Sequence, residues 1–159
     1  MALDSKEQRR IMGMFATGVT VISIKNGDET WGMTANAVTS LSLEPPLILV
    51  AVEKTGKTHP IISEAGQFAV NILAEDQQDV SDRYAFKGPR DFSNLDTKTA
   101  VTGCPIIEGS LGWVDCKTKE VLDGGDHDIF VGEILDGGAP ESGSPLCYFG
   151  GKYAKLASE

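Results

Sequence analysis

The dipeptide Asn26-Gly27 lies between two runs rich in β-branched and aromatic residues, Val19 to Ile24 and a second run that begins at Thr30. This pattern is a strong hairpin signal, because Asn and Gly tolerate the positive φ that a tight turn between right-twisted strands demands. A hairpin alone cannot bury a core, so the chain must continue with further strands. Leu47 to Val52 is continuously apolar and strand-sized, which predicts a strand buried on both faces. Phe68 to Leu73, Leu111 to Val121, Asp128 to Leu135, Leu146 to Phe149 and Tyr153 to Leu156 also read as strands. The return strand of the hairpin should run from Thr30 until Leu43-Glu44-Pro45-Pro46 stops it, since proline has no N–H to give a ladder.

Helices are short and few. Ser5-Lys6-Glu7-Gln8 fits a capping box with Ser5 as N-cap, predicting a helix over Ser5 to Met14 with Ile11, Met12, Met14 and Phe15 on its apolar face. Thr58 and Pro60 open a second helix that Gly66 closes. Glu75 to Tyr84 reads as helical and Phe86 to Leu95, with Gly88-Pro89, as loop. Asp123 to Asp126 reads as a turn, and Gly137 to Gly143 as a loop. Helices do not alternate regularly with strands, which disfavours a doubly wound sheet. Six or more strands with frequent turns imply a small barrel with helices over its ends. Neither GxGxxG nor GxxxxGK[ST] occurs, so the standard phosphate loops are missing.

A chain of 159 residues favours one domain over 1–159. The net charge of −9 argues against coating nucleic acid but leaves room for an anionic ligand held by backbone amides and a few local cations. Cys104, Cys116 and Cys147 are scattered and odd in number, and Met1 to Arg10 is polar, which together read as reduced thiols in a cytoplasmic protein without a secretory leader. No apolar run approaches the ~18 residues of a membrane span. His59, His127 and the thiols are too far apart in sequence to suggest a metal site.

Five segments carry candidate chemistry. Gly32 to Pro46 is crowded with small and hydroxylic residues, among them Thr34, Ala35, Asn36, Ala37, Thr39, Ser40 and Ser42. Such residues suit either an edge strand with a solvated face or the close approach of a flat ligand to the backbone. Glu53 to Pro60 combines Lys54, Lys57, a glycine, hydroxyls and a helix start, which fits either a phosphate cradle or an ordinary capped loop. His59 in it reads as structural. Gly125-Asp126-His127 is a turn in which Asp126 can orient His127. Arg83 to Arg90 places three cations in eight residues of an acidic chain, which suits dinucleotide phosphates or a solvated loop. Tyr148 to Tyr153 offers aromatics for a pocket wall or for a core.

The ordered blocks FATGVTVIS, GMTANAVTSLSLEPPLILVAV, FAVNILAEDQQDVSDRYA, GDHDIFVGEI and PLCYFGGKYAKL, from about Arg9 to Leu156, resemble the flavin reductase family. The resemblance implies a mainly β fold with flanking helices, a six-stranded antiparallel FMN-binding split barrel, assembled as a homodimer. It implies reduction of FMN, with FAD also possible, by NADH or NADPH, with reduced flavin passed to a partner monooxygenase or an electron-transfer protein. Carried over by residue, it places flavin contacts on Met33, Thr34, Ala35, Asn36, Ala37, Ser40 and Leu41, and phosphate contacts on Lys57 and Thr58. The resemblance also places His127 over the nicotinamide or the flavin, while the residues themselves suggest Phe86 beside the ring, Lys87 beside the phosphates and Tyr153 in the pocket wall. Many relatives carry an arginine near Gly150-Gly151, which this chain lacks. Two other readings stand beside this one: a non-enzymatic carrier with tightly bound FMN, and an interaction domain that keeps the barrel without the flavin.

Overall fold

The computed structural model describes residues 2–158, without the side chains of Phe86 and Lys87. The order of elements begins α1 (Ser5–Met12), β1 (Thr17–Gly18), β2 (Thr20–Asn26), β3 (Glu29–Ala35), β4 (Val38–Leu43) and β5 (Pro46–Glu53). It continues with α2 (Thr58–Ala65), β6 (Gln67–Ile72), α3 (Gln78–Asp82), a π-helical turn (Arg83–Lys87), β7 (Thr97–Lys98) and β8 (Ile106–Ile107). The long hairpin β9 (Gly112–Gly124) and β10 (His127–Gly138), then β11 (Cys147–Phe149) and β12 (Lys152–Ala154), complete it.

The principal sheet is antiparallel and has seven strands in the order β3-β2-β6-β9-β10-β5-β4. It is barrel-like: Met33 on one edge strand and Val38 on the other pack against a single apolar cluster, so the sheet curls until its edges face the same core. Ile22, Ile48, Val50, Phe68 and Phe130 fill that core, and α2 plugs one side with Ile62. Burying these side chains contributes about 1.5–3 kcal/mol each relative to exposure. A second cluster, with Val21, Leu73, Tyr84 and Phe92, lies where α3 and the following loop pack on the outer face of the sheet.

The strand count exceeds the six expected because the segment after Thr30 is two strands, not one. The chain breaks at Asn36-Ala37, between β3 and β4, which lie at opposite edges of the sheet. Other differences have equally local causes. The hairpin turn is Gly27-Asp28, since Asn26 still pairs with Glu29, and Gly27 takes the positive φ of 63° at the first turn position. The cap of α1 is Asp4, whose carboxylate accepts from the amides of Lys6 and Glu7 at 2.7 and 3.3 Å, so the cap lies one residue before Ser5. β5 alternates rather than being buried throughout: Ile48, Val50 and Val52 face the core while Leu47, Leu49 and Ala51 are half-buried. β2, second from an edge but sandwiched between both clusters, is buried on both faces, as is its neighbour β6 from Phe68 to Asn71. Gly137 and Gly138 extend β10 instead of starting a loop, pairing with Val114 and Trp113. No helix of the described residues is long and apolar enough to cross a membrane.

Candidate active site

The crossing from β3 to β4 is pinned from both sides. Thr20 Oγ1 donates to the Ala35 carbonyl at 2.6 Å, and the Ala51 amide donates to the Ala37 carbonyl at 3.0 Å. Asn36 stands between these anchors, exposed, with its Nδ2 3.3 Å from Thr17 Oγ1. A cavity of ≈ 340 Å³ opens beside this crossing. Thr34, Ala35 and Asn36 form one wall, Ser81, Asp82 and Ala85 the second, and Tyr148 and Tyr153 a third. The walls are tied together: Thr34 Oγ1 donates to the Ser81 carbonyl at 2.7 Å, and the Tyr153 hydroxyl lies 2.6 Å from Ser81 Oγ and 3.2 Å from Asp82 Oδ1. Tyr148 meets Tyr153 edge to face at 5.6 Å. Burial pushes the Tyr153 hydroxyl above its ordinary pKa, so it keeps the proton that it donates to Asp82.

Of the residues singled out in the sequence, Thr34, Ala35, Asn36 and Tyr153 meet in this cavity. Ala37 is next to it, with its carbonyl committed to Ala51. Met33 points the other way and packs against the barrel core, as alternation along β3 requires. Ser40 and Leu41 lie further along β4, where a register shift between Ser40 and Ser42 makes Leu41 the bulged residue, half exposed. Lys57 is exposed at the N-cap of α2. Thr58 is buried and its hydroxyl accepts from Trp31 Nε1 at 2.9 Å. The side chains of Phe86 and Lys87, expected beside the ring or the phosphates, lie outside the described residues.

Arg83 and Arg90 hold backbone carbonyls of the folded-back loop. Arg83 donates to the carbonyls of Pro89, Asp91 and Ser93. Arg90 donates to the carbonyls of Gly32, Tyr84 and Ala85 and lies over the Trp31 ring at 5.5 Å. Three carbonyls on one guanidinium make Arg90 a clamp between β3 and the π-helical turn. Arg90→Met is therefore expected to lower stability by about 1–3 kcal/mol, read as a shift in the urea midpoint with unchanged slope.

His127 begins β10 opposite Glu53. Ala51, two residues earlier on β5, holds the Ala37 carbonyl, so His127 and the β3–β4 crossing share one end of the sheet, separated by two strand spacings of ~5 Å each. His127 Nδ1 lies 2.7 Å from Asp126 Oδ1, and that hydrogen bond holds the Asp126 carboxyl below its ordinary pKa. Asp126 thus fixes the imidazole's orientation, and among the described residues the ring's Nε2 makes no hydrogen bond.

Ser81 and Asp82 were not legible in the sequence. They sit in a polar helical stretch with no motif, and reach the cavity only because α3 is followed by a π-helical turn packed on β3. A second cavity of ≈ 350 Å³ is lined by Lys98, Glu108, Ser110, Trp113 and Pro140. It includes none of the small-residue segment, so size alone does not select it. Among the described residues no group of three His, Cys, Asp or Glu side chains is arranged for a metal ion.

Comparison with known proteins bears on this geometry. The family model described as flavin reductase like domain matches residues 12–157. The chain is 38 % identical to an FMN reductase (NADH) of Agrobacterium fabrum, over 98 % of this chain and 88 % of that protein. It is equally 38 % identical to the reductase subunit of a flavin-dependent monooxygenase from Mycobacterium tuberculosis, over 99 % and 85 %. Among solved structures, the flavin reductase component of a bacterial two-component tryptophan halogenase superposes with a TM-score of 0.91 at 41 % identity, covering 98 % of this chain and 100 % of that one. An NADH:FAD oxidoreductase of Streptomyces globisporus, in complex with NAD and FAD fragments, gives 0.90 at 33 % identity over 99 % and 97 %.

Proposed function

The chain belongs to the flavin reductase-like family, and we propose that it reduces FMN, with FAD as an alternative flavin, by hydride transfer from NADH or NADPH at the β3–β4 crossing. One observation carries the placement: a small-residue backbone segment faces a tyrosine wall across a ≈ 340 Å³ cavity. That volume lies at the low end of the ~300–1,000 Å³ typical of small-molecule sites, enough for a flat ring with its tail extending outward. The residues fit the group. Thr34, Ala35 and Asn36 let a ring approach the backbone, and Tyr148 and Tyr153 close the other side.

The bound flavin supplies the hydride acceptor, and the hydride step itself needs no general acid. The protein's part is binding, orientation and exclusion of water. Backbone amides of the crossing donate to the polar edge of the ring, while the Tyr153 hydroxyl, bonded to Ser81 and Asp82, holds the tyrosine wall in place. His127, held by Asp126, hydrogen-bonds the nicotinamide carboxamide. The N-terminal amides of α2 and Lys57 attract phosphate in an otherwise acidic chain.

Several finer readings go with this one. The chain is one domain and acts in the cytoplasm. It pairs with a second copy of itself: Met12, Met14 and Phe15 are more than half exposed, Phe149 is 47 % exposed, and the Gly150 amide bonds the Gly13 carbonyl at 2.8 Å, which joins them into one apolar surface. Reduced flavin leaves for a partner monooxygenase. The test is a turnover assay with both flavins and both nicotinamides. Many turnovers of free flavin per protein support the proposal; a folded protein that oxidises neither nicotinamide with either flavin overturns it.

A further inference from the structure

The turn that carries His127 is held down by a group of charged side chains to which the proposed function assigns no role. Asp128, the next residue along β10, points its carboxylate at α2. Its Oδ2 lies 2.7 Å from His59 Nε2, and its Oδ1 lies 3.8 Å from Lys54 Nζ. His59 sits in the first turn of α2 with its ring edge-on to Phe130 at 5.6 Å, so the packed core fixes its position. Lys54 is also paired with Asp123, and its amide donates to the Asp126 carbonyl at 2.9 Å. Four ties therefore run from the β9–β10 hairpin end to the β5–α2 junction, and three of them converge on Lys54.

The Asp128 and His59 side chains are only 18 % and 23 % exposed, which sets their contact apart from the exposed pairs of the surface. A half-buried, charge-assisted contact of this length resists bending more than a solvated pair does. Its location matters. His127 and Asp128 are consecutive on a strand, so their side chains leave opposite faces. Anchoring Asp128 on one face sets the height and tilt of His127 on the other.

We propose that Asp128 is a positioning residue: through His59 and Lys54 it fixes the turn bearing His127 against the N-terminal turn of α2, and so aligns the nicotinamide. This inference rests on the hydride-transfer reading above. It concerns where His127 is held, not whether the chain reduces flavin.

The test uses full-length protein and three variants, Asp128→Ala, Asp128→Asn and His59→Gln combined with Asp128→Ala. Asp128→Ala is expected to lower kcat/KM for the nicotinamide by about tenfold while the flavin Kd, from fluorescence titration, changes less than about twofold. Asp128→Asn keeps an acceptor for His59 and should recover part of the loss. The double variant should lose no more than Asp128→Ala alone, because both substitutions remove one contact. Amide hydrogen exchange gives a readout independent of activity: the Lys54 amide, bonded to the Asp126 carbonyl, should exchange about tenfold faster in Asp128→Ala. Unchanged kcat/KM, an equal loss of flavin affinity, or unchanged Lys54 exchange overturns the proposal. If the unaltered protein turns over no nicotinamide, the function reading fails, and the exchange result alone still decides whether Asp128 anchors the turn.

Discussion

Replacing Gly32 by alanine is expected to destabilise the protein by about 1–3 kcal/mol and to weaken flavin binding at least about tenfold. Gly32 lies in β3 with an ordinary strand conformation, so backbone freedom is not the reason for a glycine there. The reason is proximity. A Cβ at Gly32 would stand 2.5 and 2.6 Å from two ring carbons of Tyr84 and 2.9 Å from Phe92 Cζ. Those rings stack on each other at 4.8 Å and cannot retreat, because Tyr84 is fully buried and its hydroxyl donates to the Asp91 carbonyl at 2.7 Å. Burial pushes that hydroxyl to about 12, so Tyr84 remains a neutral donor at any ordinary pH. Forcing the rings outward would move the segment that follows α3, which bears Ala85, and Ala85 lines the cavity. A urea titration and a flavin fluorescence titration on the same sample check both halves. Unchanged affinity in a destabilised variant would separate the cavity from this segment and contradict the placement of the site.

His127→Ala is expected to reduce kcat/KM for the nicotinamide by about 10–100-fold while flavin affinity and stability stay near those of the unaltered protein. His127 sits at a strand end and its side chain is 41 % exposed, so truncating it leaves no cavity in the core. Its partner Asp126 is 90 % exposed, and it loses only the hydrogen bond that now holds its carboxyl low. The variant therefore isolates a contact to the nicotinamide from any effect on folding. Stopped-flow reduction of bound flavin, set beside an equilibrium flavin titration, gives both quantities. Loss of flavin binding with an unchanged reduction rate would reject the role given to His127.

The sequence revealed these features unevenly, for physical reasons. The first hairpin, the apolar strand β5 and the small-residue segment were legible because each is a local pattern. The edge-to-edge break at Asn36-Ala37 was not, because nothing in composition says that a continuous strand-like run changes partners. Only curling of the whole sheet puts β3 and β4 on opposite edges. Nor was the bond that Thr58 accepts from Trp31, twenty-seven residues earlier, legible. Arg83 and Arg90 looked free in an acidic chain, yet backbone carbonyls in a folded-back loop use them. Each of these bonds was hidden because its partner is remote in sequence, or because the partner is a backbone atom that carries no sequence signature.

The most direct measurement is a crystal structure of the protein with FMN bound. The isoalloxazine is expected between the Thr34–Asn36 backbone and the Tyr148–Tyr153 wall, with the phosphate toward Lys57 and the start of α2. A ring seated instead in the groove between Trp113 and Lys98, or anywhere else away from the β3–β4 crossing, would contradict it.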